Sequence, residues 1–235
     1  MLGKAHFTPT QPALINEYNA DFKQRIVLLP GDFGWSDTGM PGIRYKLLEA
    51  CTRPYPRRTL LLDCQPGSVI DADDIQLETE FLVLRGQVTD DSGTYSAGTY
   101  VRNPIGTSYA NSETGCRLFL KLSQIHEEDQ GRRVIDTRDH ESWLPGPSEH
   151  TRVFPLHVWG TESVILVRWD SSDSIKPTLN PVGEEIFVVR GTLRDAEGEY
   201  PRDSWIRNPA VAWQEWSAER GTLVYYKTGH FPPNA

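Results

Sequence analysis

Short apolar runs recur along the chain, separated by turn signals at roughly 8–12-residue spacing, and no stretch sustains a 3.6-residue period. That pattern predicts strands throughout. Arg25–Pro30, Ile43–Ala50, Arg58–Leu62, Glu80–Leu84, Tyr95–Val101 and Arg117–Leu122 read as strands of a first half. Thr151–Val158, Ser163–Trp169, Glu185–Val189 and Leu223–Lys227 read as strands of a second. Phe81–Leu84 and Ile186–Val189 are apolar at every position, so both faces of these strands need cover. Trp35–Gly42 and Ser171–Gly183 read as loops, the second holding two prolines. Gln124–His150 is polar and charged; it reads as a connection between the halves, with Val134-Ile135 as a short strand.

The halves are copies of one another. Arg85-Gly86 returns as Arg190-Gly191, and Arg102-Asn103-Pro104 returns as Arg207-Asn208-Pro209, both at an offset of 105 residues. Asp91, Gly93 and Tyr95 find counterparts in Asp195 or Ala196, Gly198 and Tyr200. Self-similarity at one domain-sized period means a tandem domain pair rather than a solenoid.

Composition narrows the function classes. A net charge of −8 argues against a nucleic-acid partner, whose phosphates need a basic face. No apolar run reaches the roughly 18 residues of a membrane span, and the first residues lack the apolar core of a signal peptide. A cytoplasmic location is expected. Cys51, Cys64 and Cys116 are odd in number and widely spaced, so they read as buried thiols and not as a disulfide framework or metal knuckle.

The text Pro66–Ser68 (PGS), Glu80–Gly86 (EFLVLRG), Asp91–Ser108 (DSGTYSAGTYVRNPIGTS) and Gly115–Leu122 (GCRLFLKL), echoed by Gly183–Gly191 (GEEIFVVRG) and Ser204–Pro209 (SWIRNP), resembles the cupins. Within them it is most similar to the family typified by the anti-sigma factor ChrR. The resemblance implies an all-β chain of two double-stranded β-helix barrels, cupin jelly rolls, in tandem: a bicupin. It divides the chain into residues 1–140, the first cupin with its leading arm and connection, and residues 141–235, the second. ChrR-type anti-sigma factors also carry an N-terminal zinc domain. Only His6 precedes residue 50 as a histidine or cysteine, so the sigma-binding half does not carry over.

A cupin ordinarily holds one divalent metal through two histidines of an HxH pair, a glutamate and a later histidine, a set suited to iron, zinc, manganese or nickel. The resemblance places Asp73, Ile75, Thr79 and Tyr109 at those positions in the first unit, and Thr178, Asn180, Glu184 and Gln214 in the second. None is histidine, and Glu184 alone keeps the family's residue. The six histidines, His6, His126, His140, His150, His157 and His230, all lie outside the motif. No metal or other cofactor is therefore expected, although a divalent metal is the family's habit.

The other chemistry-bearing residues have plainer readings. The carboxylates Asp71, Asp73, Asp74, Glu78 and Glu80 read as a solvated acidic loop at a barrel mouth, with an all-oxygen calcium or magnesium site as the alternative. Strand alternation turns one of Glu184 and Glu185 inward. Glu184 is expected there, with Gln214, Asn180 or water as its partner. His157 reads as a packed histidine. Trp205, Trp213 and Trp216 read as packing, or as the lining of an aromatic pocket. No nucleophile–base pair or phosphate loop stands out. The function expected is a ChrR-like bicupin with degenerate metal-ligand positions, a non-catalytic small-molecule-binding or regulatory protein. A metal-dependent cupin dioxygenase or related oxidoreductase is the alternative. A small organic ligand and a second copy of the chain are the partners left open.

Overall fold

The structure, a computed structural model, describes residues 17–52, 57–71, 78–104, 109–210 and 212–231; at 71, 109, 177–180 and 212–213 it describes the backbone alone. The described residues contain no helix, and hence none long and apolar enough to cross a membrane. The chain falls into two compact units. The described residues up to Ala20, with Gly34–Arg138, make the first; Asp21–Phe33 and the residues from Asp139 onward make the second.

Strand β1 (Ile26–Leu28) therefore belongs to the second unit. The first unit follows as β2 (Ser36–Asp37), β3 (Ile43–Cys51), β4 (Arg57–Cys64), β5 (Ser68–Asp71), β6 (Thr79–Asp90), β7 (Gly93–Ser96), β8 (Thr99–Asn103), β9 (Tyr109–Ser112), β10 (Cys116–Leu122) and β11 (Arg133–Asp136). The second unit continues as β12 (Leu144–Pro145), β13 (Thr151–Trp159), β14 (Glu162–Trp169), β15 (Asp173–Asn180), β16 (Glu184–Arg190), β17 (Thr192–Arg194), β18 (Glu199–Pro201), β19 (Trp205–Asn208), β20 (Ala212–Ala218) and β21 (Leu223–Thr228).

Each unit is a jelly roll. In the first, strands run in the order β11-β8-β6-β10-β4-β3-β2, while the far half of β6 turns away to join β7, β9 and β5. In the second, β1-β19-β16-β21-β14-β13-β12 makes the corresponding sheet, and β15-β20-β17-β18 the sheet opposite. Ile43, Leu62, Phe81, Val83, Val101 and Leu118 are among the apolar side chains filling the space between the layers of the first unit. Val167, Ile186, Val188, Ile206, Trp216 and Val224 do so in the second.

The duplicated Arg-Gly marks the place where the chain leaves one layer for the other. Gly86 (φ 70°) and Gly191 (φ 79°) take left-handed backbone, and each sits beside a register shift in the neighbouring ladder. A Cβ on Gly86 would lie 1.9 Å from the Gly115 carbonyl oxygen. Conformation and space both demand glycine there.

The faces of the central strands alternate as the apolar runs require. Phe81 and Val83 point into the barrel, while Leu82 lies on the other face and is also buried, at 2% exposure. That second face carries a row of charges. Glu80 stands opposite Arg102 on one side and Lys121 on the other. Glu185 stands between Arg207 and Lys227 in the same way. All six are buried. Arg102 donates to Glu80 at 2.8 Å and to Asp129 at 2.7 Å. Lys121 donates to Thr59 at 3.1 Å. In the second unit Trp205 Nε1 and His230 Nε2 lie 2.8 Å and 2.7 Å from Glu185, and Lys227 lies 3.1 Å from Glu162. Glu80 thus leaves the acidic loop in which it was expected: β6 begins one residue before it, and Arg102 draws it under the sheet's outer face.

Three expectations are revised by pairing. Ser171–Gly183 is not a loop, because β15 runs through it and pairs with β20. Its Pro177 falls at a register shift between Ile175 and Thr178 on an edge strand, where a proline leaves no ladder bond unmade. The arm Asp21–Phe33 groups with the second unit, whereas the sequence division kept it with the first; the division near residue 140 falls between Arg138 and Asp139. Asp90, rather than Asp91, corresponds to Asp195. Asp90 accepts from Tyr95 at 2.7 Å and from the backbone of Ser92 and Gly93, and Asp195 accepts from Tyr200 at 2.6 Å and from the backbone of Glu197 and Gly198. Cys64 and Cys116 are free, buried and directly opposite on β4 and β10.

The two kinds of glycine turn predict different costs. Gly67 (φ 81°) has open space where a Cβ would go, whereas Gly86 has a backbone oxygen. Gly67→Ala is expected to cost about 1 kcal/mol of backbone strain, and Gly86→Ala at least about 3 kcal/mol, since strain and overpacking add. Urea unfolding midpoints of the two variants check the order.

Candidate ligand site in the second barrel

Among the described residues the core of the second unit is built of apolar and aromatic side chains, and a carboxylate enters it at one end. There β16 begins with Glu184, flanked by Asn208 on β19 and Thr228 on β21. Glu184 shares its strand face with Ile186 and Val188, which lie in the core cluster, so its carboxylate enters the barrel. Glu185 turns to the other face. Glu184 is 3% exposed. Asn208 Nδ2 donates to its Oε1 at 2.7 Å, and the Tyr226 hydroxyl donates to its Oε2. Tyr226 packs against the barrel core from β21, and Asn208 is fully buried.

This trio meets the demand that a buried carboxylate be hydrogen-bonded. Of the partners expected, Gln214, Asn180 or water, the side chain of Asn180 lies outside the described residues; Asn208 and Tyr226 each donate to one oxygen. Asn208 belongs to the repeated Arg-Asn-Pro, so its position was visible. Its side-chain role was not, because it depends on cross-strand register. Tyr226 lies two strand positions from Thr228 and reaches Glu184 by the length of its side chain. One group in the cluster is left over: Asn208 Oδ1 is buried and accepts no hydrogen bond among the described residues.

The register places the other expected positions. Thr178 stands opposite Gln214 on the β15–β20 ladder, and Asn180 opposite Ala212, in the layer facing β16. The side chains of Thr178 and Asn180 lie outside the described residues; Gln214 is half-buried. In the first unit Thr79 holds the place of Glu184, opposite Asn103 and Leu122. Its hydroxyl is buried and has no partner among the described residues. Leu120 holds the place of Tyr226. Asp73 and Ile75 lie outside the described residues, and Tyr109, of which the backbone alone is described, opens β9 opposite Asp71.

Trp205 and Trp216 do not share one face of the sheets. Trp216 lies in the core against Tyr200, with ring centroids 6.1 Å apart, and its indole N–H has no partner among the described residues. Trp205 points to the opposite face and is bonded to Glu185. Trp213 opens β20 beside Leu179, its side chain undescribed. His157 is buried on β13 opposite Val164. Among the described residues no three histidines, cysteines or acids come close enough together to hold a metal ion.

Opposite signs are expected from two substitutions at corresponding ends of the barrels. Asn208→Ala strips a donor from a buried carboxylate and is expected to cost about 2 kcal/mol. Thr79→Val removes a buried hydroxyl that has no partner and is expected to be neutral or stabilising by about 1 kcal/mol. Urea unfolding of both variants checks this.

Comparison with known proteins agrees with the duplicated jelly roll. The model of the ChrR cupin-like domain matches twice, over residues 23–126 and 130–232. No curated protein sequence matches the chain. Among solved structures, a candidate glyoxylate-induced protein from Pseudomonas aeruginosa is similar over 99% of both chains, at 16% identity and TM-score 0.71. A candidate dioxygenase from Nostoc punctiforme is similar over 91% of this chain and 85% of its own, at 12% identity and TM-score 0.69. An oxalate decarboxylase variant from Bacillus subtilis is similar over 87% of this chain and 77% of its own, at 11% identity and TM-score 0.58. At these identities the likeness is one of fold. With two matches spanning nearly its whole length, the chain belongs to the ChrR cupin-like family, as a tandem of two such domains.

Proposed function

We propose that the protein is a non-catalytic bicupin that binds a small polar molecule in its second barrel, beside Glu184. The observation that carries this reading is the buried Glu184–Asn208–Tyr226 cluster with its unpartnered Asn208 oxygen. A buried acceptor without a donor calls for one from a ligand or a bound water. Tyr226 and Asn208 already hold both carboxylate oxygens, so the cluster is set to orient a bound group.

The donor chemistry does not fit the divalent metal of other cupins. Iron, zinc and nickel sites draw on imidazole and thiolate donors. The second barrel offers one carboxylate whose oxygens accept from an amide and a phenol, with Thr178, Asn180 and Gln214 as neutral neighbours. A metal at Glu184 would find one carboxylate and no imidazole or thiolate beside it among the described residues. The first barrel offers Thr79 and Tyr109, with Asp73 and Ile75 from the sequence. A tyrosine at its ordinary pKa of about 10 is no phenolate at neutral pH. Both barrels are read as having left metal chemistry, the first toward packing and the second toward binding.

Native mass spectrometry of the untagged protein tests the proposal. The expected result is a small organic adduct, retained in gentle conditions and lost in Glu184→Ala. A transition-metal adduct lost in the same variant would overturn the reading in favour of a metal-dependent oxidoreductase.

A further inference from the structure

The arm strand of each unit comes from the other copy of the repeat. β1 heads the first family match and pairs in the second unit; β11 heads the second match and pairs in the first. The registers correspond. Val27 stands opposite Ile206 as Val134 stands opposite Val101, and Leu28 opposite Trp205 as Ile135 stands opposite Tyr100.

The residue before each arm strand is an arginine, and each finds the same receptor. Arg25 donates to the Tyr200 hydroxyl at 2.7 Å and to Asp195 at 2.6 Å, with its guanidinium 5.9 Å from the tyrosine ring centre. Arg132 donates to the Tyr95 hydroxyl, lies 3.7 Å from Asp90 and sits 5.9 Å from the tyrosine ring centre. The receptor is built before the arginine arrives, since backbone amides of its own turn and the tyrosine hydroxyl already fix the aspartate. Burial alone would raise the Asp195 carboxyl, but the bonds from Tyr200, the Glu197 amide and Arg25 outweigh it and hold the group below its ordinary value.

We propose that the β19 edge with its Asp195–Tyr200 pair is an acceptor site for an extended, arginine-led segment, and that its occupant, the leading arm, is exchangeable with the arm of a second copy of this chain. A sheet edge offers a row of backbone donors and acceptors that takes any strand of matching pattern. The arginine adds a directional, charge-assisted anchor that fixes the register. The arm is a short strand, joined to the first unit through a turn whose Gly31, Asp32 and Gly34 are exposed. It already docks away from its own repeat.

The test uses the full chain with one protease site placed at Ala20–Asp21 and a second in the Pro30–Gly34 turn, both cut after folding, so that the arm is freed from the bridge between Tyr18 and Ala50 and is held by its dock alone. A fluorescent synthetic peptide of residues 21–33 is added in excess, and bound label is read by anisotropy and by gel filtration. The peptide is expected to replace the severed arm, and an Arg25→Ala peptide to bind at least about tenfold more weakly, as loss of the ion pairs with Asp195 and Glu197 and of the bond to Tyr200 implies. On a cut Asp195→Asn chain the advantage of the native peptide is expected to shrink without vanishing, since Glu197 and Tyr200 remain as partners of Arg25. If that variant fails to fold, the two peptides on the cut chain still decide. Failure of the native peptide to bind, or equal binding of the Arg25→Ala peptide, would overturn the proposal.

Discussion

Buried charge on the outer face of the central strands governs how this chain folds. Glu80, Arg102 and Lys121 in one unit, and Glu185, Arg207 and Lys227 in the other, lie side by side across three strands with at most 1% exposure. A buried ion left unpaired costs several kcal/mol, so these residues tolerate one register and no other. Slipping a strand by a single residue would bring each charge into the apolar barrel and each barrel residue out. The row therefore fixes which face of β6 and β16 looks inward, and with it the inward placing of Thr79 and Glu184.

On this common frame the two interiors have diverged. Among the described residues, Thr79 and Leu120 put an unpartnered hydroxyl and an apolar side chain in the first barrel at the place where the second holds a carboxylate, an amide and a phenol. Burying Glu184 has a cost that the first unit does not bear. Asn208 and Tyr226 offset it, and they do so from the strands on either side of β16, which the charge row holds in register. The outer face thus does the structural task in both units and leaves the two interiors free to differ.

Much of the fold was legible in the residues, for local reasons. Consecutive apolar positions at Phe81–Leu84 and Ile186–Val189 announce strands covered on both faces, and the repeated Arg-Gly and Arg-Asn-Pro announce the duplication. What escaped depends on pairing between distant segments. The pattern of Arg25–Pro30 says strand but is equally compatible with either unit, because both present the same aspartate–tyrosine receptor. Pro177 and Pro181 suggested a loop, and only the edge position of β15 shows why Pro177 is tolerated. For the site, the sequence singled out Glu184, and the structure placed it inside the barrel. Tyr226 and Asn208 were not legible as its partners, because Tyr226 reaches it across a ladder and the side-chain role of Asn208 depends on cross-strand register.

The account stands on the state of one carboxylate. A crystal diffraction experiment at high resolution, with anomalous data collected across the absorption edges of iron, nickel and zinc, reads that state directly. The expected map shows Asn208 Nδ2 and the Tyr226 hydroxyl within hydrogen-bond distance of Glu184 and only light-atom density beside Asn208 Oδ1. An anomalous peak at coordination distance, about 2 Å, from Glu184, with Tyr226 and Asn208 turned away, would contradict it.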